Sequence, residues 1–587
     1  PVEPSGVKTP EAAAKLAMTF KATPEHIEFF ENRVRPLLAE HCYECHSGKS
    51  EKLQGDLRLD GRLLAVRGGE TGPGLIPGKP HESLLIESVK WQSYEMPPKG
   101  KLKPTEIETL EKWIELGAPW PDEDVPALAA KNAPGAGYDW TKWRTEHWAF
   151  QAVSKPTPPH VTNDARIYNA VDRFVVARAE QAGLKQSPAA SPRILARRLY
   201  YDLIGLPPTP EQVEQFVDAC EQDRAAAVSG LIDQLLDSPQ YGERWGRYWL
   251  DVARYSDGYG GFLDNAAYTS AWRYRDWVVT ALNQDLPFDE FVRLQIAGDL
   301  VGDRQDAIAT GFFALGPSYN SDGGDPDSVA QAKAETLSDR LDTLGRGLLG
   351  LTLACARCHE HKFDPLPQQD YYSLAGVFNN STLHEQPLVD DAIVKTYNER
   401  QQAIRDFDKR IKDREKQFRD NKASTNADNK KELDQWKSEV AELRKTAPAK
   451  YDFAHTLRDS GNGTMKIAIR GNLRKPGEPA PRRFLRILAG DDAALFAAGS
   501  GRRELAQAIA DSANPLTSRV FVNRVWMHHF GKALVRTPSN FGALGEKPTH
   551  PELLDWLTAS FIESDHSIKT LHRTILMSAT WQMSSLF

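Results

Sequence analysis

The residues best placed to do chemistry are four cysteines and two histidines in two matching motifs, Cys42-Tyr-Glu-Cys45-His46 and Cys355-Ala-Arg-Cys358-His359. Two thiols one helical turn apart can form thioether bonds to the two vinyl groups of one porphyrin edge. The histidine that follows then lies beneath the iron as proximal ligand. The spacing reads as attachment of a c-type haem, twice in one chain. Other uses of a Cys-x-x-Cys pair fit less well. A zinc site would combine two such pairs, but about 310 residues separate Cys45 from Cys355, and each pair ends in histidine. A thioredoxin-like redox pair goes with a βαβ pattern that neither motif has beside it. A disulfide between cysteines so close would be strained. The fifth cysteine, Cys220 in the helix-like EQVEQFVDAC, reads as a small buried hydrophobe.

The elements around the first motif suit a small haem domain. Phe29 to Glu40 (FFENRVRPLLAE) reads as a helix leading into Cys42. A Gly/Pro-rich loop, GGETGPGLIPGKP, then LLIESV and Glu95-Met96-Pro97-Pro98 follow. In TEIETLEKWIELGAPW, Leu110, Trp113, Ile114 and Gly117 recur at helical spacing. Met96 lies 50 residues after His46 in a proline-stiffened loop. A thioether there would serve as the ligand opposite His46 and raise the haem potential. The alternative is that Met96 fills a packing gap.

Around the second motif the segment CARCHEHKFDPLPQQDYY gathers His359, His361, Lys362, Asp364, Asp370, Tyr371 and Tyr372. His361 is too near His359 to reach the distal face of the same haem. It is a candidate for proton transfer or for a propionate contact, or it is a histidine satisfied by its own backbone. His528, His529 and His550 are candidates for the distal side. The stretch from Tyr241 to Trp277 is dense in aromatic and charged residues. Arg254, Asp257, Tyr259, Asp264, Trp272, Arg275 and Asp276 could line a polar pocket with aromatic walls of the kind sugars occupy. The competing reading makes the aromatics core and the charges buried pairs. The candidate catalytic set is therefore His361, with Arg254, Asp257, Tyr259 and Arg275 orienting a substrate. The cluster from Tyr319 to Asp325 lacks the calcium-loop pattern and reads as a turn.

The expected fold is mostly α. An N-terminal segment (1–25) precedes a cytochrome c-like domain (26–125), a Pro/Ala/Gly-rich linker (126–165) and a large helical domain with the second motif (166–390). An antiparallel coiled-coil hairpin (391–450) follows from heptad-like steps such as Ile404, Phe407, Ile411 and Phe418. Alternating runs, KIAIRGNL and RRFLRIL, predict a small β element (451–500) before a C-terminal helical domain (501–587). Among 587 residues the formal charge is only −7, with no basic block, which argues against a nucleic-acid partner. No apolar run is long enough to span a bilayer. The polar opening PVEPSGVKTP is what a processed export product would show.

These stretches resemble a known arrangement. CYECH with the EMPP loop is similar to a planctomycete-type cytochrome c domain. LIGLPPTPEQV, YGERWGRYWLDVARYSDG, YRDWVVTALNQDLPFDEFVRLQIAGDL and CARCHEHKFDPLPQQDYYSLAGVF resemble the first of two associated domains of unknown function. NPLTSRVFVNRVWMHHFGKALV and HPELLDWL resemble the second. The resemblance implies an exported protein of planctomycete or verrucomicrobial systems, often rich in polysaccharide-degrading enzymes, and a chain that continues past a segment like SATWQMSSLF. The functional expectation is a periplasmic or otherwise exported dihaem oxidoreductase with two covalent haems c. It would do substrate chemistry near the second haem, on a sugar or related compound, and pass electrons through the first to an external partner protein. The alternatives are an electron carrier without its own substrate and a carbohydrate-binding scaffold that carries haems.

Overall fold

The first motif ends a helical run that starts where the sequence supplies a cap. Thr23 accepts from the His26 amide through its hydroxyl, and Pro24 follows at a position where its missing N–H costs nothing. In this computed structural model the described residues are 20, 22–47, 50, 53–69, 71–121, 138–162, 166–258, 267–319, 324–420 and 427–585. They belong to two units, Pro1–Gly137 and Tyr138–Phe587.

In the first unit, α1 (Pro24–Phe29), a π-helical stretch (Phe30–Val34) and α2 (Arg35–His41) follow one another without a break. Short helices α3 (Arg62–Arg67) and α4 (Leu84–Val89) come next, and α5 (Pro104–Glu115) closes the unit. At the start of α5, Pro104 follows Lys103, whose amide donates to Glu106. The core is where the first run meets α5: Phe30, Val34 and Leu38 pack with Leu110, Trp113 and Ile114. Phe30 stands 5.8 Å from Trp113 and 4.3 Å from Trp120, centroid to centroid. Gly68 turns the chain after α3 at φ +75°, where a Cβ would strike the Gly72 carbonyl, so only glycine fits.

The second unit begins inside the stretch expected to be a linker. Trp140–Glu146 form α6, and Trp148 packs 5.0 Å from Phe541. The helices α7 (Ala170–Gln181), α8 (Pro192–Leu203), α9 (Pro210–Leu236), α10 (Pro239–Ala253), α11 (Trp272–Asn283), α12 (Phe288–Val301), α13 (Pro326–Leu344) and α14 (Gln368–Asn379) follow. Trp249 and Tyr274, both buried, donate to one acceptor, the Gln295 side-chain oxygen, each at 2.7 Å. That satisfies the polar ends of two large rings inside the core. The aromatic-rich stretch from Tyr241 onward is thus mainly core, since Tyr241, Trp245, Trp249 and Tyr274 are all buried.

The expected hairpin is present as α15 (Asp391–Asp420) and α16 (Ala427–Lys445), with Ile404, Leu433 and Val440 buried along their seam. Its ends are joined by an antiparallel pair, β1 (Ser381–Pro387) with β2 (Phe453–Asp459), in register from Ser381↔Asp459 to Pro387↔Phe453. A second pair, β3 (Met465–Ala468) with β4 (Pro476–Ala480), lies in the region expected to be β.

The closing helices are α17 (Arg502–Ala510), α18 (Thr517–Phe530), α19 (Pro551–Glu563) and α20 (Ile568–Leu576). Buried arginines tie them to the rest of the unit. Arg502, wholly buried, bonds both oxygens of Asp299 on α12 at 2.6 and 2.7 Å and Asp459 of β2 at 2.7 Å. Arg519 grips Asp555 and the Gln151 carbonyl, and Arg524 donates to the carbonyls of Arg346 and Gly347. The fold is mostly α, as expected. Among the described residues no helix is long and apolar enough to cross a membrane.

Candidate functional site

The first motif continues directly from α2. The Cys42 amide donates to Leu38, and the His46 amide donates to Cys42 at 2.9 Å, so the helical turn that the spacing requires is formed. The chain then folds back along the motif: the Leu59 amide bonds the His46 carbonyl and the Gln54 amide the Cys45 carbonyl. The His46 Nδ1 lies 3.2 Å from the Leu57 carbonyl. A carbonyl can only accept, so Nδ1 carries the proton and Nε2 keeps its lone pair.

Cys42, Cys45, His46 and Met96 all line one cavity of about 570 Å³. Its walls are largely apolar, with Leu57, Leu59, Leu85 and Val89 among them. Both cysteines are free thiols, and burial pushes Cys42 up to about 12, so it stays protonated near neutrality. The Met96 loop is held by the Trp91 indole, which donates to the Met96 carbonyl at 3.1 Å. Lys99, just past Met96, reaches Glu44 inside the motif at 2.6 Å. Two thiols, an imidazole with a free Nε2 and an apolar cavity that also takes in a thioether are a donor set that fits haem c. Neither the Leu57 carbonyl nor the Glu44–Lys99 link was foreseen in the sequence, although a carboxylate inside the motif and a lysine after Met-Pro-Pro were visible there.

The second motif has different surroundings. It lies on a short 3₁₀ turn (Leu353–Arg357), and Cys355, Cys358 and His359 are exposed, both cysteines as free thiols. The His359 Nδ1 donates to the Glu360 carbonyl at 2.6 Å, which again leaves Nε2 free. The turn is fastened from behind. Gln368 and Tyr372 of α14 donate to the Arg357 carbonyl at 2.8 and 3.1 Å, and Gln368 also reaches Ala468 of β3. Gly471, at φ +74°, comes so close that a Cβ there would stand 2.6 Å from the Cys358 sulfur.

The other candidates are not brought together. His361 is buried with both ring nitrogens engaged. Nδ1 accepts from the Asp364 amide at 2.8 Å, so Nε2 holds the proton and donates to Thr352 at 2.9 Å, and burial lowers its pKa. This is the arrangement of a histidine satisfied locally. Arg254 pairs with Asp339 and Asp342 of α13. Asp257 accepts from the Tyr255 hydroxyl, and Arg275 pairs with its neighbour Asp276. Among the described residues no hydrogen bond or ion pair joins these three to His361 or to the second motif. Tyr259 and Asp264 lie outside the described residues, as do 320–323 of the oxygen-rich turn, whose Asp325 caps α13.

The distal candidates also have other partners. His528 stacks on Tyr248 at 3.7 Å, and burial first, then the neighbouring His529, Arg524 and Arg244, push it down to about 4. His529 lies between Asp202 and His572, and His550 immediately precedes α19 beside Thr549.

Three family models match the chain. Residues 42–100 match planctomycete cytochrome C, residues 170–383 a protein of unknown function (DUF1549), and residues 501–587 another (DUF1553). No curated protein and no solved structure matches. The first match implies covalently bound haem c. The chain thus carries matches to planctomycete cytochrome C and then, in order, to the two domains of unknown function, and the cytochrome match suggests a haem-binding electron-transfer protein.

Proposed function

We propose that the protein is an exported dihaem c-type cytochrome that exchanges electrons with an external partner protein. One haem would be held by Cys42, Cys45 and His46 with Met96 as the opposite ligand, the other by Cys355, Cys358 and His359. One observation carries this reading: at both motifs a histidine gives its Nδ1 proton to a backbone carbonyl beside two free thiols, which leaves Nε2 for iron. When bound, the group supplies a one-electron iron couple. At the first site the Cys42 and Cys45 thiols would hold the group, the Leu57 carbonyl orients the His46 imidazole, and Leu57, Leu59, Leu85 and Val89 give it a largely apolar wall. At the second site the exposed thiols and His359 favour contact with a redox partner.

Substrate chemistry on a sugar would need acid/base and orienting groups around the second motif. His361, Arg254, Asp257 and Arg275 are engaged separately, which favours the carrier reading. Export follows from the chemistry, because thioether attachment of this kind takes place outside the bacterial cytoplasm.

The test is a haem count on the denatured chain, by mass and by the pyridine adduct spectrum. Two haems per polypeptide are expected, falling to one in Cys355→Ala/Cys358→Ala. A single haem in the unaltered protein, unchanged by that double substitution, removes the second site.

A further inference from the structure

Among the described residues of the second unit five arginines are buried, and four have both terminal nitrogens engaged. Arg482, Arg502, Arg519 and Arg524 each place both terminal nitrogens on carboxylate or carbonyl oxygens. Arg340 differs. It is only 7% exposed, its Nε donates to the Phe313 carbonyl at 3.2 Å, and its two terminal nitrogens make no hydrogen bond among the described residues. Among the described residues no carboxylate pairs with it, and the adjacent Asp339 is held by Arg254. An unpaired buried cation is costly and is normally matched by a counter-charge. Burial lowers its pKa to about 10, still cationic at neutral pH.

Arg340 is among the residues that line a cleft of about 460 Å³. One face of α13 forms one side, with Lys333, Thr336 and Leu337 on it, and Phe378 and Leu383 form part of the other. Two cationic residues thus line a cleft that also has an apolar wall. A planar guanidinium with two free terminal nitrogens matches the paired oxygens of a carboxylate, sulfate or phosphate, and a lysine adds charge without geometry.

We propose that this cleft binds a small oxyanion carried on an apolar body, a carboxylate or a sulfate or phosphate ester. Its oxygens would be taken by Arg340 and Lys333, and its body by Phe378 and Leu383. The site is independent of both haem motifs.

The experiment is calorimetric titration of the full-length, haem-loaded protein at fixed ionic strength with three probes: benzoate, phenyl phosphate and inorganic sulfate. At least one should bind saturably, and which one does so identifies the oxyanion and shows whether the apolar body is needed. Arg340→Gln should weaken that binding about tenfold or more, the usual loss for a charged hydrogen-bond partner. Lys333→Glu, at an exposed position that the fold does not require, should weaken it as well, and it carries the test if Arg340→Gln does not fold. Absence of saturable binding by all three probes overturns the site. So does binding that Lys333→Glu leaves unchanged.

Discussion

The two Cys-x-x-Cys-His motifs present the same atoms in opposite settings. At the first, Cys42 is buried, a cavity stands open above it, and a methionine lines the same space. At the second, both thiols and the histidine face outward, with the supporting contacts of α14 and β3 behind them. The histidine geometry that favours iron is common to both, so it is the environment that separates them. A haem in a largely apolar cavity, were Met96 to ligate it, would be tuned toward a high potential. A haem on an exposed turn is open to a partner and to solvent, and its potential is set by whatever covers it.

The largest expected effect comes from removing the thiols pairwise. Cys42→Ser/Cys45→Ser should empty the first cavity and strip the first unit of the stabilisation that a tightly held ligand confers on the native state alone. Cys355→Ser/Cys358→Ser should leave the melting of the rest of the chain almost unchanged, because those side chains fill no core. Thermal melts followed by circular dichroism and by haem absorbance compare the two. Equal losses would break the contrast.

Next in size is a proton. Asp370, on α14 behind the second motif, is buried with its carboxyl pushed up to about 6, because desolvation outweighs Arg483 and Arg486 nearby. A group raised in the folded state contributes stability below its unfolded value of 3.8 and loses it as pH climbs through about 6. The second unit should therefore weaken over that window by roughly 3 kcal/mol, and Asp370→Asn should flatten the slope. Urea midpoints measured against pH decide it. A slope unchanged in the variant assigns the effect to another group.

Met96→Ala should lower the potential of the first haem by on the order of a tenth of a volt, a fraction of the ~0.8 V range that axial ligands control. A redox titration showing no shift would leave Met96 as packing. The smallest effect is expected at Gly471. Gly471→Ala sets a Cβ against the Cys358 sulfur in a left-handed backbone, at a cost of about 1–2 kcal/mol, and it should reduce haem attachment at the second motif alone. Equal loss at both motifs would point to general misfolding.

The sequence made plain what depends on local spacing. The motif turns, the helix before Cys42, the heptad steps from Ile404 to Phe418 and the loop that carries Met96 to the first cavity all follow from neighbours in the chain. What depended on distant partners was hidden. β1 was missed because STLHEQP is mostly polar and finds its partner only at Phe453–Asp459, beyond the hairpin. The orienting role expected of Arg254 gave way to a pairing with Asp339 and Asp342, more than eighty residues away. His361 looked free in a run of titratable residues, yet the loop around it uses both nitrogens. The isolated charge of Arg340 did leave a trace: it is a cation set among Leu337, Leu341 and Leu344 on the buried stripe of its helix.

Arg502 bears on how this protein can be divided. It opens the second domain of unknown function and spends its charge on Asp299, inside the first, and on Asp459, in the stretch between them. A fragment cut between the two would leave a bare cation on one piece and unmatched carboxylates on the other, each beside torn apolar surface. The pair would then be inherited as one physical object under two labels. Shuffling either half into a new chain without the other would be penalised at the first folding event, and fragments that stop near residue 400 or start near residue 500 should aggregate.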